Sequence, residues 1–407
     1  MKTSGLDVHK ETIFCAIYGD DSPQKKSKHE VKEFQTLTCE IKQMGNYLQE
    51  AGVKRVAMES TGIYWIPVWN ILESMGFELM LVNPYLVKAL PGKKSDVKDS
   101  ERIAELLHKG LLQGSLVPDE RIRALRSYGR KYKKLQVKQT VCVQEMEKVL
   151  IMCNIRISNF VSNINSKSMI RVIEHIIAGE NNPEKLAELI HGRILKKGKD
   201  KIIASLDGFV YEHHRDLLAL CLEEYKMYLH QEEECIKQMK RLGSEYYQQD
   251  IELLKTIPGV SDISAIIILA ETGGDMNAFE KSSKLTGWAG LRPRNDESAG
   301  KYKSRSITKG NQYLRTILVQ TSWASIRIKG SYFKEKYQKL IVRKPYNKAL
   351  IAISRKMLVV IWNILKDQKA FNPELLPVYD PIRLESKLKY HKKEFEKVQA
   401  LAAIRSV

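Results

Sequence analysis

Residues 93–107 run Lys-Lys-Ser-Asp-Val-Lys-Asp-Ser-Glu-Arg-Ile-Ala-Glu-Leu-Leu. Asp96 and Asp99 stand ahead of Ile103, Leu106 and Leu107, whose i, i+3, i+4 spacing marks one buried helix face. Residues three apart lie on one side of a helix, so the two carboxylates point the same way. Acids in a first turn also suit the positive end of the helix dipole, and that ordinary duty accounts for most Asp-x-x-Asp pairs. The acids upstream argue for more.

Residues 3–19 alternate as two strands around a short polar turn, with Leu6 and Val8 flanking Asp7. An acid in mid-strand is costly unless paired, exposed or bound to metal. A third strand near Val31–Phe34 and a helix over Cys39–Ala51 follow. Lys54–Met58 is a short apolar strand ending at Glu59, and a helix over Ile66–Met75 leads to the strand Glu78–Val82. The order β-β-β-α-β-α-β-α ends on the Asp96 helix and predicts an α/β domain. Within that order Asp7 stands in mid-strand, Glu59 at a strand end, and Asp96 with Asp99 on the final helix. Cations that activate an attacking oxygen and stabilise a leaving one, held about 4 Å apart, need such a set. Magnesium and manganese take oxygen ligands. Like charges gathered without a metal would raise one another's pKa values and destabilise the fold.

The chain has 407 residues, enough for two or three cores. Its formal net charge is +19 and its pI near 9.4, which points to a nucleic-acid partner. A membrane is disfavoured because no run of about 18 apolar residues occurs; Leu350–Leu365 is broken by Arg355 and Lys356. Asp7, His9, Lys10 and Glu11 interrupt any apolar signal core, so a cytoplasmic location is expected. Six cysteines without Cys-x-x-Cys spacing argue against a zinc site and a disulfide framework.

Gly5-Leu6-Asp7-Val8-His9-Lys10, Glu59-Ser60-Thr61-Gly62-Ile63-Tyr64-Trp65, Val82-Asn83-Pro84 and Lys94-Ser95-Asp96-Val97-Lys98-Asp99 resemble the amino-terminal domain of insertion-sequence 110-type transposases, relatives of the pilin invertases. The resemblance implies a RuvC-like (ribonuclease-H-like) domain whose Asp-Glu-Asp-Asp tetrad, here Asp7, Glu59, Asp96 and Asp99, holds Mg²⁺ or Mn²⁺. Ser100 stands where Ala is expected.

Between Arg121 and Lys138 lie Arg121, Arg123, Arg126, Arg130, Lys131, Lys133, Lys134 and Lys138 with no acid among them. Such a run is commonly a solvated helix face. Interleaved Tyr128 and Tyr132 add stacking to phosphate neutralisation, which favours nucleic-acid contact. One long helix is expected through Leu150. Residues 160–205 read as helices and polar loops with a basic cluster at Lys196, Lys197, Lys199 and Lys201, to which no chemistry is assigned. From His213 to Leu242, the residues Leu218, Leu222, Tyr225, Leu229, Ile236 and Met239 form a four-three seam. It serves either a coiled-coil dimerisation arm or a helix packed within its own chain.

Around Ile257-Pro258-Gly259-Val260 two helices suggest a helix-hairpin-helix, whose backbone N–H groups, at Gly259 for instance, can meet a phosphate. Ser298 falls in a basic, Gly-rich loop between helices, among Arg292, Arg294, Lys301, Lys303, Arg305 and Lys309. A loop serine is commonly a turn former; one among cations could attack a phosphodiester. Ile257–Val260, Gly287-Trp288-Ala289-Gly290-Leu291-Arg292-Pro293, Thr308-Lys309-Gly310-Asn311 and Leu314-Arg315 resemble the carboxy-terminal domain of the same transposases. The family's nucleophile falls on Ser298, with Ser304 and Ser306 as neighbouring alternatives.

The expectation is a RuvC-like domain over 1–115, a basic long-helix and coiled-coil region over 116–250, a mainly helical serine transposase domain over 251–370, and a basic helical tail over 371–407. The resemblance implies an RNA-guided recombinase: a non-coding bridge RNA pairs with donor and target DNA, and a homodimer or tetramer joins the tetrad of one protomer to the serine of another. The rivals are a metal-dependent, Holliday-junction-type nuclease using water, and a non-catalytic nucleic-acid-binding remnant.

Overall fold

The computed structural model describes residues 2–19, 30–59, 62–83, 96–196, 198–294, 296–298, 301–304, 306–375 and 381–404. Ser60, Thr61, Pro84, Lys94, Ser95, Lys197 and Arg305 of the motifs above lie outside them, as do the side chains of Asp96, Ser298, Lys301, Lys303 and Ser304. The chain forms two compact units, Met1–Val117 and Pro118–Val407.

The first unit is built on a five-stranded sheet: β1 (Lys2–Val8), β2 (Thr12–Tyr18), β3 (Glu30–Gln35), β4 (Val53–Glu59) and β5 (Glu78–Val82). Their order is β3-β2-β1-β4-β5. β1–β2 and β2–β3 are antiparallel, β1–β4 and β4–β5 parallel, which is the ribonuclease-H-like arrangement. Side chains alternate between the faces of a strand. Leu6, Val8, Ile13, Cys15, Ile17, Val56 and Met58 bury one face under α1 (Thr38–Glu50) and α2 (Trp65–Ser74). On the other face Ala57 and Val82 pack against Ile103 and Leu107 of α3 (Asp96–His108).

In the second unit, α4 (Glu120–Met152) and α9 (Glu212–Tyr246) form a long antiparallel hairpin. Its direction follows from Asp119 against Tyr247, Lys138 over Tyr228 and Cys142 near Glu224. Asp119 starts α4 by accepting the Ile122 N–H. Four short helices cap the tip: α5 (Lys167–Ile177), α6 (Pro183–Glu188), α7 (Gly192–Leu195) and α8 (Lys199–Leu206). The α9 seam is used inside the chain: Leu218, Leu222 and Tyr225 share a core with Met146 and Leu150 of α4 and with Val172 and Ile176 of α5. Of the two readings of that seam, the packing within the chain is the one seen; periodicity says that a face is buried, not against which helix.

A bundle follows, of α10 (Gln248–Lys255), α11 (Asp262–Thr272), α12 (Ser282–Trp288), α13 (Gln312–Ser325), α14 (Tyr332–Ile341) and α15 (Tyr346–Asp367). Helix α11 is buried throughout from Ser264 to Thr272 and is the core of the bundle. A final helix, α16, spans Pro381–Ile404. The expected loop around Ser298 is instead a β-ribbon, β6 (Asp296–Ser298) with β7 (Lys301–Ser304), continued toward its root by a Pro293–Ile307 bridge. Among the described residues, no helix is long and apolar enough to cross a membrane.

Candidate active site

Gly5 decides how close α3 comes to the sheet. A Cβ there would collide with the Ser100 carbonyl and the Ala104 backbone nitrogen, so only glycine lets the helix lie directly on β1. Thr3 Oγ1 donates to the Ala104 carbonyl at 3.1 Å. As the strand runs from Thr3 through Gly5 to Asp7, the helix therefore runs back from Ala104 through Ser100 toward Asp96. Asp7 and the first turn of α3 share one end of the pair. Ser100 is fully buried in this contact and its hydroxyl donates to Val97 O at 2.8 Å, so the exchange of the expected Ala costs no hydrogen bond.

Register brings the second strand acid to the same place. Gly5 pairs with Ala57 and Leu6 with Met58 in the parallel β1–β4 ladder. One step on, Asp7 and Glu59 stand level at the C-terminal ends of neighbouring strands. Being two residues beyond Gly5 and Ala57, both belong to the face that α3 covers. They are buried, at 7% and 5% exposure. His9 Nε2 lies 3.2 Å from Asp7 Oδ2. Asp99 is half-buried in the first turn of α3, and Asp96 begins that helix.

Among the described residues, no three His, Cys, Asp or Glu side chains close into a metal-binding group; the Asp96 side chain lies outside them. The donor chemistry nevertheless fits a hard divalent cation. Two buried carboxylates at adjacent strand ends, facing a helix that begins with two more, offer oxygen ligands alone. Burying them together is expensive without a cation to offset their repulsion.

In the second unit Ser298 is the last residue of β6 and pairs in register with Lys301 across the ribbon. The root is locked by glycines. Gly290 has φ +71°, and a Cβ there would come within 2.8 Å of Thr308 O; one at Gly310 would collide with Gly290 N and Trp288 O. Arg292, Arg294 and Lys309 are exposed along that root, with the Thr308 N–H donating to Arg292 O and the Arg294 N–H to Ser306 O.

Three residues expected at a nucleic-acid interface serve the interior. Gly259 (φ +90°) packs against α13, where a Cβ would come within 2.6 Å of Ser325 N. Arg126 donates to the carbonyls of Ala270 and Glu271, and Arg130 makes a two-pronged pair with Glu271 at 2.9 and 3.0 Å. Burial pushes the Arg126 pKa down despite Glu271 nearby. A long side chain on a basic helix can turn inward wherever a neighbour supplies an acid, and composition does not say where. Arg121, Lys131, Lys134 and Lys138 stay exposed, Arg121 over the Tyr246 ring and Lys138 over that of Tyr228; Arg123 and Lys133 are half-buried. Sequence reading passed over Glu271; an acid closing the apolar run Ile266–Ala270 was the available signal.

Two family models match the chain. Residues 4–154 match the DEDD transposase domain of IS110 elements, and residues 251–338 match the IS116/IS110/IS902 transposase family. A Pseudomonas aeruginosa protein described as "Probable family 20 transposase" is 23% identical over 91% of this chain and 98% of its own length. The Coxiella burnetii "Transposase for insertion sequence element IS1111A" is 32% identical over 30% of this chain and 35% of its own. Thermus thermophilus RuvC aligns over 28% of this chain and 100% of its own, with 12% identity and a TM-score of 0.22, too low to add to the strand topology itself.

Proposed function

The chain belongs to the IS116/IS110/IS902 transposase family, and we propose that it exchanges DNA strands through a serine nucleophile, Ser298, working with the carboxylates Asp7, Glu59, Asp96 and Asp99. The observation that carries the reading is the shared end of β1, β4 and α3, where Gly5 lets the helix bring its first turn level with Asp7 and Glu59.

The four carboxylates would hold Mg²⁺, or Mn²⁺. The ion when bound neutralises phosphate charge and lowers the cost of charge developing on the displaced oxygen. His9, at 3.2 Å from Asp7, orients that carboxylate. The Ser298 oxygen attacks the DNA phosphorus and gives up its proton. An O–P bond forms to serine, and the bond to one deoxyribose oxygen breaks, leaving a hydroxyl on that DNA end. A hydroxyl of a different DNA end then attacks the phosphoserine, restoring the serine and a phosphodiester. Lys301 stands opposite Ser298 in register, and Arg292 and Arg294, exposed near the ribbon's root, would neutralise backbone phosphates flanking the scissile one.

The partners of this reading are donor and target DNA and a non-coding bridge RNA that selects them by base pairing. The +19 charge suits a protein that meets backbones rather than base edges. A homodimer or tetramer would unite the tetrad of one protomer with the serine of another.

The test is a denaturing gel for covalent protein–DNA adducts, comparing wild type with Ser298→Ala, with Mg²⁺ and with EDTA, on the element's RNA and junction DNA. The expected adduct requires both Ser298 and the metal. Metal-dependent cleavage without an adduct, indifferent to Ser298→Ala, would establish a water-using nuclease and overturn the serine step.

A further inference from the structure

Among the described residues of the second unit, Glu271 is the most enclosed carboxylate, its side chain 2% exposed at the end of the core helix α11. It is held from two directions. From α4, Arg130 binds both of its oxygens and Arg126 Nε stands 3.7 Å behind. From the other side Asn311 Nδ2 donates to Oε2 at 2.6 Å. Arg130 also lies over the Tyr313 ring, 4.7 Å from its centre.

Asn311 is the residue at which the returning leg of the ribbon meets α13. Its Oδ1 accepts the N–H groups of Tyr313 and Leu314, starting that helix. Its own N–H donates to Trp288 O at 3.1 Å. Gly310 beside it is pressed on Gly290 of the outgoing leg. Both legs are thus joined at the root, and among the described residues the Asn311 amide links that root to Glu271 of the core helix. An ionised carboxylate has about four acceptor sites, so Glu271 can hold the arginines of α4 and the amide of the ribbon root at once.

We propose that Glu271 is a positioning residue for strand exchange: through Asn311 it sets the angle at which the β6–β7 ribbon leaves the bundle, and so where Ser298 meets the scissile phosphate. It touches no DNA itself. The inference rests on Ser298 being the nucleophile.

Two substitutions separate this role from plain stability. Asn311→Ser keeps a good helix cap and removes the amide; Glu271→Gln keeps an oxygen for Asn311 but withdraws the charge from Arg130. Positioning errors of about an ångström cost on the order of a hundredfold in rate. Asn311→Ser is therefore expected to melt no earlier than Glu271→Gln and to keep DNA affinity while the single-turnover rate of adduct formation falls about tenfold or more. Glu271→Gln is expected to melt earlier yet form adduct within about threefold of wild type.

A rate that follows the melting temperature across the two variants, or Asn311→Ser at the wild-type rate, would overturn the proposal. Ser298→Ala is run alongside. An adduct that survives it places the fault in the nucleophile assignment instead, whatever the ribbon variants do.

Discussion

The carboxylates of the first unit and the serine of the second are held in opposite ways. Asp7 and Glu59 end central strands, are buried, and lie beneath a helix pressed onto Gly5. Ser298 sits at the far end of a two-stranded ribbon whose described anchorage is its root, Gly290 on Gly310 and Asn311 on Glu271. Both arrangements use a glycine to bring backbones together, but one presses a helix onto a sheet and the other closes the neck of an arm. Charges that must stay converged despite repulsion need the surrounding core to hold them. In the proposed reaction, a serine that reaches into a DNA backbone and then carries a strand needs extension, with precision supplied from behind.

The sharpest break of that contrast removes one charge from the rigid side. Asp7→Asn is close to isosteric, so the sheet should persist. If Asp7 is one of the proposed metal ligands, strand cleavage should fall on the order of 10³-fold, because an oxygen ligand loses its charge. Cleavage rates alongside an unchanged circular-dichroism melt would check this; a loss of cleavage that merely follows unfolding would count against a chemical role. His9→Ala should cost less, about tenfold, since it would loosen the Asp7 carboxylate without removing it.

The glycine substitutions test rigidity itself. Gly5→Val forces α3 off β1 and should destabilise the first unit by about 3 kcal/mol or more, through overpacking against backbone that cannot yield. Gly310→Ala also meets backbone, but at the neck of the ribbon. It should leave most of the bundle's slow-exchanging amides protected and accelerate exchange from 290 to 311. Hydrogen exchange distinguishes the two: global loss for Gly5→Val within residues 2–117, local loss for Gly310→Ala. Equal, global loss in both would erase the distinction between core and arm.

That difference also explains what could be seen in the sequence. Period-two alternation located β1 and β2, a short apolar run located β4, and the stripe after Asp99 located α3, because these elements bury their apolar residues within their own unit. The ribbon was hidden: residues 292–308 mix Arg, Lys, Ser and Gly without the alternation that marks a half-buried strand. Gly5 was visible as part of a motif, but a strand glycine usually signals weakness; its reason lies in Ser100 and Ala104, which no local pattern connects to it. Arg126 and Arg130 read as part of a uniform basic run because their acid, Glu271, is far along the chain. Patterns local to an element were legible, and pairings between distant elements were not.

The last expected effect, silent at neutral pH, concerns the buried side of the first sheet. Cys15 lies in the core opposite α3, and burial pushes its thiol up from 9.0 to about 12, against a weaker lowering by the Ser4 hydroxyl 3.5 Å away. In the unfolded chain a cysteine titrates near 8.5, roughly. A group whose folded pKa is raised contributes stability below the unfolded value and loses it as pH climbs toward the folded one. The first unit should therefore hold its stability up to about pH 8.5 and lose it progressively between there and about pH 12. Cys15→Ala should flatten that alkaline limb while lowering stability modestly at neutral pH. Below pH 9 the folded protein should let iodoacetamide modify the exposed Cys39 and leave Cys15 untouched. Modification of Cys15 as fast as Cys39 under native conditions would mean that this face of the sheet opens readily, and the contrast between a fixed carboxylate frame and a reaching arm would lose its footing.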